Sequence, residues 1–187
     1  MSRSPPRPPG WFGNDRSKTV DSGGLLAAVD LIDASSASGG KIVIAGNGGS
    51  AAIASHIAVD LTKAAGRRAQ AFHDPGLITC FANDYGYGQW VAQALESYAD
   101  QGDDAVLISS SGQSENILNG AERASELGLS VLTLSGFEAS NPLREMGNVN
   151  LWVDSSTYNY VELTHQAWLL AIVDCLIERD QINADSF

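Results

Sequence analysis

The sequence predicts an α/β fold in which a parallel sheet is covered by helices on both faces. Two patterns predict it. From residue 41 onward, short apolar runs alternate with helical stretches. The runs themselves lack the polar alternation of a strand with one face in water, as expected for parallel strands buried on both faces. A length of 187 residues suits one such domain, because chains of this size bury about 70% of the surface they expose when unfolded. No internal repeat and no second domain is visible. Residues 1–18 read as a lead and residues 19–187 as a single domain.

The elements follow in order. Residues 1–15 hold four of the six prolines, Pro5, Pro6, Pro8 and Pro9, the composition of a disordered or loosely attached lead. Trp11 and Phe12 either pin its end to the body or lie exposed. A helix is expected over residues 20–36, with Leu25, Leu26, Val29 and Ile32 on one side. Asp21 or Ser22 would cap it and Gly39-Gly40 would end it. Residues 41–45 (KIVIA) read as a buried strand, 50–63 as a helix and 68–72 as a strand. Residues 77–82 fit either an apolar turn or a short helix, and 89–99 a helix. Then come a strand at 104–109, a helix at 114–127 and a strand at 130–134. A short helix near 142–146, a strand at 150–153 and a long helix at 160–178 complete the chain.

Composition narrows the function. The formal net charge is -11, from 11 Lys and Arg against 22 Asp and Glu. A nucleic-acid binder needs a basic face to displace counterions, so nucleic acid is not expected as a partner. No run matches the roughly 18 apolar residues of a membrane span, and the first residues lack the pattern of a secretory signal. Only Cys80 and Cys175 are present, both in apolar sequence surroundings, which argues against a disulfide framework and for a cytoplasmic location.

Two loops carry the chemistry. Gly46-Asn47-Gly48-Gly49-Ser50 joins the first strand to a helix, and Ser109-Ser110-Ser111-Gly112-Gln113-Ser114 does the same after the 104–109 strand. Glycines let backbone N–H groups approach a ligand, and a helix start favours a negative group. Hydroxyls with free N–H groups make a neutral cradle for phosphate oxygens, suited to an acidic protein. Each loop alone has a plainer reading, as a tight turn or as helix capping. Two of them after two strands of one sheet favour a phosphorylated ligand. Gly46-x-Gly48-x-x-Ala51 also fits a dinucleotide fingerprint, but the acid expected about 20 residues on is not met. Asp60 comes too early and Asp74 late.

GNGGSAA followed by His56, then Asn83-Asp84-Tyr85-Gly86-Tyr87, then SSSGQSEN, resembles the phosphoheptose isomerases of the sugar isomerase (SIS) superfamily. So does Val161-Glu162-Leu163-Thr164-His165 on the last helix. The resemblance runs from about residue 20 to residue 178. It implies a three-layer α-β-α sandwich with a five-stranded parallel sheet, assembled as a homotetramer with sites between subunits. The implied reaction is aldose–ketose isomerisation of sedoheptulose 7-phosphate to a heptose 7-phosphate through an enediol. Carried over residue by residue, Ser109, Ser111 and Ser114 bind phosphate, with Ser110 and Gly48 in the same loops. Asn47 and Ser50 hold the sugar, and Asp84 meets its hydroxyls.

The acid–base residues depart from that family. Asp60 stands where the family usually has glutamate, one methylene shorter, and is the expected base. On the last helix the family usually has two histidines five apart; here the first is His165 and the second position is Leu170. Glu162 replaces a usual glutamine, and Glu162 or His165 would assist the base. His56 and Asp60, four apart, share a helix face, in a plain helix-face hydrogen bond or at a site. His165 reads equally as a core histidine, and His73 lies in a loop with no assigned role. The residues themselves call for no particular cofactor, but some members of the family carry zinc, and His56, Asp60 and Glu162 are its candidate ligands here. Two functions remain: a phosphosugar isomerase, favoured by the retained carboxylates, and a non-catalytic phosphosugar-binding or adaptor protein, favoured by Leu170.

Overall fold

The computed structural model describes residues 22–185. The Pro-rich lead, the Trp11 and Phe12 anchors and the expected cap at Asp21 lie outside the described residues. Six helices and five strands follow in the order α1 (Ser22–Ala37), β1 (Ile42–Gly46), α2 (Gly49–Lys63), β2 (Ala69–Ala71), α3 (Pro75–Tyr85), α4 (Trp90–Tyr98) and β3 (Asp104–Ser109). Then come α5 (Glu115–Glu126), β4 (Ser130–Ser135), β5 (Val149–Trp152) and α6 (Tyr158–Ala184). Short 3-10 turns lie at Tyr87–Gln89 and Pro142–Glu145.

All five strands are parallel, in the order β2-β1-β3-β4-β5. Every residue of β1 and β3 is buried, which is why these strands read as unbroken apolar runs. Side chains alternate across the sheet. Ile42, Ile44, Val106, Ile108, Leu132 and Leu134 face α1, α2 and α6. Val43, Ala45, Ala105, Leu107 and Val131 face the layer built from α3, α4 and α5. In α5 the spacing of Ile117, Ala121 and Ala124 makes one apolar stripe, and these residues are buried together with Asn116 and Gly120. Truncating a core residue such as Leu107 or Leu132 would cost about 2–5 kcal/mol.

Three elements differ from the sequence reading. Residues 77–82 belong to α3, started by Asp74, whose Oδ1 accepts from the backbone N–H groups of Gly76 (2.8 Å) and Leu77 (3.1 Å), with Pro75 at the first helical position. The strand expected at 68–72 shrinks to three residues on the sheet edge. The last helix runs on to Ala184. It is long and apolar enough to cross a bilayer by length and composition alone, but Val161, Leu169, Ile172, Val173 and Leu176 are buried against the sheet. Cys80 and Cys175, despite their apolar neighbours in sequence, are exposed free thiols.

At the amino ends of the strands, two carboxylates are buried. Asp103 accepts from the Lys41 backbone N–H (2.8 Å) and pairs with the Lys41 ammonium. Asp104 is 1% exposed, and its Oδ2 has no hydrogen-bond partner. Burial pushes its carboxyl up to about 7, against the opposing pull of the Ser35 and Ser130 hydroxyls.

Candidate active site at the carboxyl ends of β1 and β3

The chain leaves β1 toward β2 and later returns to place β3 on the other side of β1. The strand order therefore reverses between β1 and β3, the place where open α/β sheets bind ligands. Both singled-out loops start there, one after Gly46 and one after Ser109.

An amide pair ties the two loops together. Asn47 Nδ2 donates to Asn116 Oδ1 (2.9 Å), and Asn116 Nδ2 donates back to Asn47 Oδ1 (3.0 Å). The Tyr87 hydroxyl donates to the same Asn47 oxygen at 3.0 Å. Asn116 is 2% exposed, so the pair fixes the spacing of the loops from inside the fold. Neither Asn116 nor Tyr87 had an assigned role in the sequence, although both lie within the motifs noted there. Their partner lies far away in the chain, and no local pattern marks it.

The serine loop is built as a cradle. Ser109 Oγ and Ser114 Oγ lie 3.0 Å apart, and the Gln113 N–H donates to Ser111 Oγ at 3.2 Å. Ser110 Oγ is buried without a hydrogen-bond partner. Ser114 occupies the cap position of α5 yet makes no capping bond, so helix capping does not account for it. At the start of α2 the Asn47 carbonyl accepts from the Ser50 N–H (3.0 Å) and the Gly48 carbonyl from the Ala51 N–H (3.1 Å). Ser50, in the first turn of α2, is 3% exposed. Two helix starts thus bring the positive ends of their dipoles to one spot. Gly112 has φ 66, and the Asn141 side chain fills the space a Cβ would need. Asn141 is itself held by bonds from its Nδ2 to the Gly136 and Glu138 carbonyls. The cradle is stiffly backed.

Glu162, Gln166 and Leu170 lie one helical turn apart on α6, beside α2. The Glu162 carboxylate lies over Gly49: a Cβ there would come 2.6 Å from Cδ and 2.7 Å from Oε1. One turn on, Gln166 Nε2 is 2.6 Å from His56 Nδ1. His56 Nε2 in turn lies 3.2 Å from Asp60 Oδ2. Leu170 packs half-buried against the apolar core.

His165, expected to assist at the reacting end, lies instead in the core. It is fully buried, with Nε2 3.0 Å from the Ser135 carbonyl oxygen. Burial lowers its pKa to about 4, against the opposing pull of that carbonyl. The trio Glu162, His165 and Gln166 is therefore divided, two residues facing α2 and one facing the sheet. Asp84 is exposed at the end of α3, its Oδ1 accepting from Asn83 Nδ2 at 2.8 Å. His73 braces the end of β1, with Nε2 3.2 Å from the Gly46 carbonyl oxygen and Nδ1 3.3 Å from Ser55 Oγ. Burial lowers its pKa, with the Gly46 backbone acting the other way.

The zinc ligands that the resemblance suggested, His56, Asp60 and Glu162, do not converge. Glu162 stands at Gly49, seven residues before His56 on α2, or about 10 Å along the helix axis. Among the described residues no three His, Cys, Asp or Glu side chains gather at a common point. This donor set does not fit a zinc site within one chain.

Comparison with known proteins agrees with this architecture. A family profile described as SIS domain matches residues 15–136. A phosphoheptose isomerase of Campylobacter concisus is 33% identical over 162 residues, which span 83% of this chain and 85% of that protein. The structure of a phosphoheptose isomerase from Neisseria gonorrhoeae superposes with a TM-score of 0.77 at 29% identity, covering 83% of this chain and 86% of that one. One from Francisella tularensis gives 0.78 at 28% identity, covering 84% and 86%.

Proposed function

This chain belongs to the SIS domain family and to its phosphoheptose isomerases, and from there we propose that it is a phosphosugar aldose–ketose isomerase. Residues 19–187 form its single phosphosugar-binding domain, working in the cytoplasm. Sedoheptulose 7-phosphate is the substrate and a heptose 7-phosphate the product. The observation that carries this reading is the pair of hydroxyl- and amide-lined loops locked together by Asn47 and Asn116 at the switch point of the sheet.

In this reading Ser109, Ser110, Ser111 and Ser114 take the phosphate oxygens with the N–H groups of the α5 start. Asn47, Gly48 and Ser50 hold the sugar, and Asp84 meets its hydroxyls. A carboxylate removes a proton from C1 of the ketose, giving an enediolate with its negative charge on the former carbonyl oxygen O2. The proton returns at C2 while the O2 carbonyl oxygen gains one from O1, leaving the aldose. Asp60 is the base, with Glu162 the second carboxylate.

Helix geometry bears on where the base acts. Ser50 and Asp60 are ten residues apart on α2, about 15 Å at 1.5 Å per residue. A seven-carbon phosphate spans roughly 10 Å from phosphorus to C1 when its bonds of about 1.5 Å are extended. Asp60 therefore serves the cradle of a neighbouring copy, while Glu162 serves its own. Val59 beside Asp60 and Leu163 beside Glu162 are each more than half exposed, apolar surface that such a homo-oligomer, a tetramer in the family, would cover.

A second reading, a binding protein without turnover, is favoured by Leu170, which transfers no proton. Thermal unfolding with sedoheptulose 7-phosphate, followed by assay of the recovered sugar, separates the two. Stabilisation with conversion supports the isomerase, and stabilisation of an unchanged sugar supports the binding protein.

A further inference from the structure

The geometry points to Tyr87 as a further sugar-binding residue, one that α5 holds beside the serine cradle. Tyr87 is 56% exposed, yet its hydroxyl is tethered, donating to Asn47 Oδ1 at 3.0 Å. That oxygen also accepts from Nδ2 of Asn116, two residues after the cradle's Ser114. The phenol therefore stands next to the cradle with more than half of the residue in solvent. An aromatic ring with a fixed polar tip suits a sugar chain, whose carbon–hydrogen faces are apolar and whose edges carry hydroxyls.

Three features fix the ring from its backbone side. Gly86 ends α3 with φ 87 and ψ 150, a conformation open to glycine, and leads the chain into the Tyr87–Gln89 turn. Trp90, which follows the turn, is 1% exposed and anchors it in the core. Between them, α5 clasps Gly88. Asn119 Nδ2 donates to the Gly88 carbonyl oxygen at 2.9 Å, and because a carbonyl only accepts, the amide has one orientation. One helical turn earlier the Glu115 carboxylate lies against Gly88, where a Cβ would come 2.9 Å from Cδ. The helix that starts at the cradle thus also carries the clasp, so one rigid element sets the distance from phosphate to phenol. Asn119 is a positioning residue that acts through Tyr87. The identity of the sugar rests on the isomerase reading; the placement of Tyr87 does not.

Calorimetric titration with sedoheptulose 7-phosphate and with inorganic phosphate separates the carbon chain from the anion. Wild type is expected to bind the sugar phosphate more tightly. Tyr87→Ala should weaken the sugar phosphate about 10-fold and leave inorganic phosphate within about two-fold. Tyr87→Phe, which keeps the ring without the tether, should fall between. Asn119→Leu should reproduce part of the loss, and should cost nothing further once Tyr87 is already alanine; additive losses would overturn the part given to Asn119. A wild type that binds the sugar phosphate no better than inorganic phosphate would overturn the inference, as would Tyr87→Ala with undiminished affinity or with equal losses for both ligands. A change in the mass of the assembly on Tyr87→Ala would put the ring in a subunit contact instead. If the ligands are told apart through Tyr87 but wild type converts none of the sugar, Tyr87 keeps its role and the isomerase reading falls. If wild type converts the sugar and Tyr87→Ala binds it as tightly, the isomerase reading stands and Tyr87 loses its role.

Discussion

Glu162 rests against Gly49, its carboxyl carbon 2.6 Å from where a Cβ on residue 49 would stand. The two residues come from α2 and α6, far apart in the chain, and their contact holds a carboxylate beside the start of α2. Gly49→Ala must push Glu162 aside. Unfolding in denaturant should show a loss of about 1–3 kcal/mol, and much less when Glu162 is already alanine. A coupling of about 1 kcal/mol or more in the double-mutant cycle is expected; additive losses would mean that the contact carries no constraint.

The serine loop separates stability from binding at one position. Ser110 Oγ is buried and unpaired, so Ser110→Ala breaks no hydrogen bond in the free protein. Its stability should stay within about 0.5 kcal/mol of wild type. Ser109→Ala and Ser114→Ala each remove a member of the 3.0 Å hydroxyl pair. Calorimetric titration with the sugar phosphate should show each of the three variants binding about 10-fold more weakly, near 1.4 kcal/mol. Undiminished affinity in all three would take the phosphate out of this loop.

If Asp60 serves the cradle of a neighbouring copy, two inactive variants should rescue one another. Asp60→Asn and a cradle variant with Ser109, Ser111 and Ser114 all changed to alanine, each nearly inactive alone, are expected to regain a measurable fraction of wild-type turnover when their subunits are mixed and reassembled. Mixed assemblies that form but remain inactive would place base and cradle in the same copy.

Two buried groups give stability opposing slopes with pH. The Asp104 carboxyl is raised from 3.8 to about 7. Its contribution is fully present below about pH 4 and is lost as pH rises toward 7. His165 is lowered from 6.5 to about 4, so its contribution is present above about pH 6.5 and is lost as pH falls toward 4. Asp104→Asn removes only the first effect. Relative to wild type, its stability should rise between pH 5 and pH 8 by on the order of 2 kcal/mol, as read by thermal unfolding across that range. Parallel curves would show that Asp104 does not titrate in the folded protein.

The strands were legible because parallel strands buried on both faces leave uninterrupted apolar runs, as in β1 and β3. α3 was ambiguous because none of its residues is fully buried, so its apolar spacing is weak, although Asp74-Pro75 already marked its start. The serine loop was legible because its chemistry is local. The division of Glu162, His165 and Gln166 was not. Which of them meets Gly49, Ser135 or His56 depends on how α6 is rotated against α2 and the sheet, a matter of packing between elements far apart in the chain. The Asn47–Asn116 pair was hidden for the same reason.

The most direct test is NMR of sedoheptulose 7-phosphate incubated with the protein in D2O. Solvent deuterium should appear on the carbon next to the carbonyl, with a growing aldose 7-phosphate signal, and Asp60→Asn should abolish both while still binding the sugar. A sugar that binds and yet keeps all its carbon-bound hydrogens would contradict the proposed proton transfer and leave a phosphosugar-binding protein.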